Sequence, residues 1–494
     1  MTHEETITIS KEEYERLLSL ATMSSSLQSE IDYLKHQISE LRRMIFGSKR
    51  ERFVPVDSSQ GRLFEVEEQE TEPVEKEKIT YTREKRKEKK QPLRLELASH
   101  LPRREEVIEP ENLPEGAKKI GESITEVLEY EPANIYVRKI IRPKYIVSSN
   151  DEKTEISIAE LPTLPIPKGN AGAGILSHIL ISKFVDHLPF YRQVQMFRRQ
   201  GVTLAESTIN GWFNATCRLL EPLYETSRKG LLSTDYLMAD ETPIPVLTKD
   251  KPGSTHKGYY WVYYDPVNKL VVFDYQKSRS REGPDEMLKN FSGYLQTDGY
   301  AAYTNLRNKS KITLLACMAH ARRKFEHARD NDPVRSEEAL KMFGSLYEVE
   351  RQGREIGYDM EQLKQLRQKK SIPVIKEMER WLKKQITEIL PKSAIGEAVS
   401  YTLSLWPRLS RYVEQGRFRI DNNLIENSIR PVALGRKNYL FAGSHHAAQQ
   451  AAIMYSFLAT CKINDVEPFQ WLKHTLEVIP DYPVNQLDKL LPRK

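Results

Sequence analysis

Between residues 11 and 46 the apolar positions recur in steps of three and four. Leu17, Leu20, Leu27, Ile31, Leu34, Ile38, Leu41 and Ile45 form one seam, with Ser24 in the missing slot. A 3.5-residue average keeps such a seam on one side of a helix, and the remaining faces are polar. The pattern therefore predicts a coiled coil within residues 1–50, ended by Gly47, and a homo-oligomer held by it. The periodicity then stops. Residues 51–92 read as a charged linker, dominated from residue 65 by Glu, Lys and Arg and including "REKRKEKK" at 83–90. Such a stretch has too few large apolar side chains to offset its chain entropy.

Residues 93–165 change to extended, β-branched runs. "ITEVLEYEPANIYVRKIIRPKYIVS" alternates around a Pro-Ala-Asn turn and predicts a small β-rich module. "LPTLPIPKGNAGAG" (161–174) is a Pro/Gly boundary. Residues 170–230 carry helical spacing. A first helix is expected to end near Gln200, Gly201 to turn, and a second to begin near Leu204, the outline of a helix-turn-helix. In that arrangement Ser207, Thr208, Asn210 and Trp212 are placed to reach base edges or phosphates. An ordinary helical hairpin fits the same pattern almost equally well.

From residue 231 strands dominate. "DYLMADETPIPVL" (235–247) reads as a short strand ending in Asp240 and Glu241. "GYYWVYYDP" and "NKLVVFDYQKS" make a hairpin around Asp265-Pro266. "GYLQTDGYAAY" (293–303) is a strand ending in Asp298, and "KITLLACMAHARRKF" (311–325) is a strand running into a helix. Five strands then a helix, with acids where the first and fourth strands end, is the plan of an RNase H-like α/β core, here at 231–329. Residues 330–415 look helical and charged, an insertion within the core. The core resumes at 416–460, followed by a C-terminal segment at 461–494. Ile420–Arg430 reads as helix, capped by Asp421 or Asn422. Ile425 and Ile429 share an apolar face, while Asn422, Glu426 and Arg430 share a polar one. If the isoleucines lie on the sheet, Glu426 is aimed at the strand ends. The whole chain is thus expected to be a multidomain α+β protein.

Composition changes this picture little. With 494 residues the chain exceeds one compact core, and a net charge of +6 permits nucleic acid without requiring it. No apolar run is long enough to cross a bilayer and the N-terminus is polar and acidic. The expectation is a cytoplasmic, nucleoid-associated protein with no membrane partner. Cys217, Cys317 and Cys461 lie far apart, so no local cysteine clip is present.

Asp240, Asp298 and Glu426 would make an oxygen-rich site suited to Mg²⁺ or Mn²⁺. Two such ions can activate a hydroxyl and stabilise the leaving oxygen of a phosphodiester. Arg430, Arg436 and Lys437, with Asn422 and Asn423, are then candidate DNA contacts, and Tyr439 or Phe441 is placed to stack on a base. His320 and Arg322 are candidate supports of the site, although a structural histidine is the plainer reading of His320. His445 and His446 are expected in a loop, without a metal role. Each acid alone is more commonly a turn former or a solvated helix residue; the constellation carries the argument.

The chain resembles the insertion sequence 66 family of DDE transposases. The resemblance rests on pieces in family order: the N-terminal seam with "LRRMIFGSKRERF", then "HLPRREEVIEP", "RPKY", "STINGW", "MADETPIPVL", "YLQTDGYAAY", "CMAHARRKF", "IDNNLIENSIRPVALGRKNYLFAGS" (420–444) and "YPVNQLDKLLP". The motif at 420–444 is its most specific piece. The resemblance implies a catalytic, metal-binding triad of Asp240, Asp298 and Glu426, and cut-and-join chemistry on DNA. The DNA would be the element's terminal inverted repeats and its target, with room for accessory proteins of the same element. Many relatives carry cysteine pairs of a small zinc module where this chain has "ENLPEGAKK" and "IVSSNDEKT", so no zinc is expected. Asn427 also replaces the usual Arg after the catalytic Glu. A structure-selective nuclease without strand transfer, or a DNA-binding regulator without chemistry, are the alternatives; joined products distinguish the first and indifference to Asp240→Ala the second.

Overall fold

The computed structural model describes residues 97, 99–110, 117–131, 134–149, 153–248, 253–304 and 311–493. The coiled coil and charged linker expected before residue 93 lie outside the described residues. These hold twelve α-helices and two mixed sheets, an α+β architecture.

The first sheet has β1 (Arg103–Val107), β2 (Lys118–Glu131), β3 (Asn134–Ser149) and β4 (Lys153–Ile158). β2 and β3 form a long antiparallel hairpin, and β3 also pairs with β1 in parallel and with β4 antiparallel. Its apolar centre is small: Val127, Ile140 and Leu164, with Ile108 and Leu161 against them. Cross-strand ion pairs dress its surface, among them Arg104 with Glu131 and Lys139 with Glu105. Leu128 and Val137 instead join the large core shared with the helices that follow.

Those helices are Ala173–Phe184, Phe190–Arg199 and Glu206–Leu232. The second ends as expected, and Gly201 turns the chain with φ +79°. The third begins two residues later than the sequence suggests. Trp212 is a correction: it is buried in the core and cannot read DNA. Helical spacing puts it with Ile209, Phe213 and Thr216 on the packed face, whereas Ser207 and Asn210 are exposed and Thr208 half-buried.

The second sheet holds β5 (Tyr236–Leu247), β6 (Thr255–Asp265), β7 (Leu270–Gln276), β8 (Gly293–Thr297) and β9 (Ile312–Ala316), in the order β7-β6-β5-β8-β9. β5, β6 and β7 are antiparallel neighbours; β8 and β9 run parallel to β5. Asp265 closes the β6–β7 turn by accepting from the backbone N–H groups of Val267 and Asn268. The exposed flank of β7 is covered by helix His445–Ile463. Ser456 Oγ accepts from Phe273 N at 2.8 Å and Thr460 Oγ1 from Val271 N at 3.2 Å. These hydroxyls satisfy edge groups that would otherwise recruit another strand. His445 opens this helix and bonds the Tyr275 hydroxyl, so it is not the loop residue expected.

The segment expected to be a helical insertion contains helices Pro333–Ile356, Met360–Glu388 and Ala394–Leu409. Its centre is Arg367, fully buried. The guanidinium forms a two-pronged bond to Glu350, each prong 2.7 Å, and donates to the carbonyls of Tyr412, Gln415 and Phe418. It thereby holds the chain that re-enters the sheet. Tyr236 Oη then accepts from Arg419 N at 3.0 Å while donating to Gln296, and Met318 N donates to Ile420 O. The helix that follows is thus placed across the parallel strands.

Candidate active site

Asp240 lies on β5, but that strand does not end there. It continues through Leu247 against β6, with Asp240 opposite Val262. What ends near Asp240 is the parallel pairing with β8, last registered at Met238–Gln296. The expected strand end is therefore a rim, where one neighbour stops and the other continues. Asp298 follows β8 directly. Its Oδ1 accepts from Tyr300 N at 2.8 Å across Gly299, whose φ of +95° suits a residue without a side chain. Tyr401, from helix Ala394–Leu409, donates its hydroxyl to the Asp298 carbonyl at 2.8 Å. The helical segment thus buttresses the turn that presents Asp298.

Glu426 sits in the first turn of helix Asn423–Tyr439. This helix is longer than the expected 420–430, running through Pro431, so much of "RKNYLFAGS" is helical. Ile425 is fully buried and Ile429 packs against the core, as the apolar spacing implied. Donor oxygens of Asp240, Glu241 and Asp298 lie within 4.8 Å of one another. Cys317, His320 and Glu426 form a second such group. The Asp240 carboxyl is pushed up to about 8, first by burial, then by the charges of Glu241, Asp298 and Glu426. All three expected acids therefore share one electrostatic neighbourhood.

Glu241 was missed as a member of this cluster. It is raised by burial and held by Arg279, which stacks on Tyr300 at 3.9 Å, and by the Tyr303 hydroxyl at 3.3 Å. Its position beside Asp240 was the available signal. Arg323 was also missed: its guanidinium lies 3.9 Å from Glu426, as does His320 Nδ1. Arg322, proposed beside His320, instead pairs with Glu326 at 3.1 Å. Helical rotation turns it away from the site.

The candidate DNA contacts divide. Arg430, Lys437 and Asn423 are exposed. Asn422 is fully buried, and its amide makes no hydrogen bond, so it is not displayed to DNA. Arg436 donates to the Pro243 carbonyl and is lowered by burial; it ties the helix to β5. Tyr439 bonds Tyr455 beneath the Lys183 ammonium and has no free face comparable to that of Phe441, which is exposed. The opposite side of the Glu426 helix helps line an apolar cavity of ≈ 530 Å³ with Phe184, Tyr264 and Tyr455, apart from the acids.

Residues 168–450 match the Transposase IS66 family, and 456–492 match the IS66 C-terminal element. The chain belongs to the IS66 transposase family. Residues 33–105 also match a family described as Transposase C of IS166 homeodomain. Among relatives, the uncharacterized protein y4jD of Sinorhizobium fredii is 34% identical over 420 residues, covering 80% of this chain and 81% of its own. Another from that organism, y4qI, is 31% identical over 496 residues, covering 96% and 90%. Membership of the IS66 family makes DNA the partner class and divalent metal use the general expectation. No described helix is long and apolar enough to cross a membrane.

Proposed function

We propose that this protein is the transposase of an insertion sequence, acting through an RNase H-like core. It cleaves a phosphodiester at each end of the element and joins the freed 3′-hydroxyl to target DNA. The observation that carries this reading is the pairing of Asp240 on β5 with Asp298 just after β8, with the charge of Glu426 from the neighbouring helix acting on Asp240. Burial and mutual repulsion hold Asp240 at about 8, an arrangement that calls for a cation. Glu426 Oε1 is buried without a hydrogen-bond partner, which fits a role as a cation ligand. Divalent ions held by these three acids, Mg²⁺ or Mn²⁺ and two in number, would supply Lewis acidity to the attacking and leaving oxygens.

The chain's own groups do the rest. Glu241, Arg279 and Tyr303 hold the Asp240 side of the rim in place. Exposed Arg430, Lys437 and Asn423 on the Glu426 helix would grip backbone phosphates, and Ser207 and Asn210 would meet DNA from the earlier helix. Residues 11–46 would bring two copies together so that both ends are processed in one complex, with accessory proteins of the element as further partners.

The test incubates purified full-length protein with the element's terminal DNA and Mg²⁺. Glu426→Gln and Asp240→Asn should lose roughly 10²-fold or more of cleavage, the scale of removing one electrostatic stabiliser. Undiminished cleavage in either variant overturns the assignment. Cut ends without joined molecules would reduce the activity to that of a nuclease.

A further inference from the structure

Cys317, His320 and Glu426 present a donor set unlike the all-oxygen cluster beside it. Their ligand atoms, a sulfur, an imidazole nitrogen and a carboxylate oxygen, lie within 4.8 Å of one another. His320 Nδ1 and Glu426 Oε1 are 3.9 Å apart, and both are buried without a hydrogen-bond partner. Two metal–ligand bonds of about 2.0–2.2 Å span such a gap with little movement. Cys317 is buried at the start of helix Met318–His327, and Asn422 N donates to its Sγ at 3.2 Å. The three donor atoms thus share one small space.

We propose that Cys317, His320 and Glu426 form a binding site for a borderline transition ion of the Zn²⁺ or Co²⁺ class, beside the oxygen cluster of Asp240, Glu241 and Asp298 and sharing Glu426 with the proposed catalytic triad. Thiolate and imidazole select such ions over Mg²⁺, and three protein ligands leave a fourth position open. Binding releases the Cys317 thiol proton to solvent. Because Glu426 belongs to both sets, an ion here draws it from the oxygen-ligated site. Zn²⁺ would therefore inhibit the Mg²⁺-supported reaction; this consequence rests on the catalytic reading above, whereas the ion site itself does not.

Co²⁺ titration of the full-length protein, followed by absorbance, tests the site without any activity assay. Wild type should develop a thiolate-to-cobalt charge-transfer band that Zn²⁺ abolishes by displacement. Cys317→Ser should lose the band. His320→Ala should weaken binding by more than the roughly 10–100-fold that loss of an outer-shell partner costs. Circular dichroism confirms that both variants fold, and Cys217→Ser and Cys461→Ser should keep the band. Absence of a band in folded wild type, or its survival in Cys317→Ser, overturns the proposal. Asp240→Asn separates the two readings: it should abolish cleavage yet retain the cobalt band.

Discussion

Arg367 shows how one side chain can govern a remote site. Its guanidinium is satisfied by Glu350 and by carbonyls of the segment that leads into the Glu426 helix. Replacing it by Met leaves the Glu350 carboxylate buried and unpaired. We expect Arg367→Met to lower unfolding free energy by about 3–5 kcal/mol, measured by urea denaturation. Lys183 gives a pH signature. Burial lowers its ammonium from 10.5 to about 8, although the Phe190 and Tyr439 rings lie 4.1 and 4.8 Å away. The unfolded chain keeps its proton up to a higher pH, so the burial penalty is full below pH 8 and fades between pH 8 and 10.5. That penalty is roughly 3 kcal/mol before the cation–π attraction offsets about 1–2 of it. Lys183→Met should therefore stabilise the protein at pH 7, with an advantage that shrinks by pH 10; a gap that widens with pH would refute this account.

At the scale of elements, the turn after β8 and the helix beneath it are the informative pair. Gly299 holds φ +95°, and a methyl group there would meet Leu405 at 2.8 Å. Gly299→Ala should destabilise by about 1–3 kcal/mol through backbone strain. It should also weaken Mn²⁺ binding, measured by calorimetry, because Asp298 is carried by the same turn. The aspartate and glycine were legible in "TDGY", as was the strand before them. Their support by Tyr401 was not, since that contact joins residues 103 positions apart. The Glu426 helix was legible through Ile425 and Ile429. Its continuation through Pro431 was not, because local propensity disfavours proline inside a helix while the packing of Val432 and Gly435 retains it.

For the whole molecule, the clustered acids imply coupling between ion binding and folding. An ion that binds only the folded chain adds about 2.7 kcal/mol at one hundred times its Kd. Mg²⁺ or Mn²⁺ should raise the melting temperature of wild type, and this gain should be lost in Asp240→Asn. An equal rise in both proteins would place the responsible ion elsewhere. The helical segment between β9 and the Glu426 helix is not a detachable appendage. It holds the re-entering chain through Arg367 and the Asp298 turn through Tyr401.

The amino-acid sequence by itself marked the helices that begin near residues 173, 190 and 206, the five strands from Tyr236 to Ala316 and the start of the Glu426 helix, because apolar periodicity and turn residues act within a few positions; it did not mark the length of the Glu426 helix or the helix His445–Ile463. It also marked Asp240, Asp298 and Glu426, whose surrounding motifs are local. Only the tertiary structure decided which neighbours join them. Glu241 and Arg323 enter the acidic neighbourhood, Asn422 and Arg436 are withdrawn into the interior, and Cys317 meets Glu426. Those outcomes depend on burial and on contacts across long stretches of chain, where packing and desolvation, rather than local preference, set the energy.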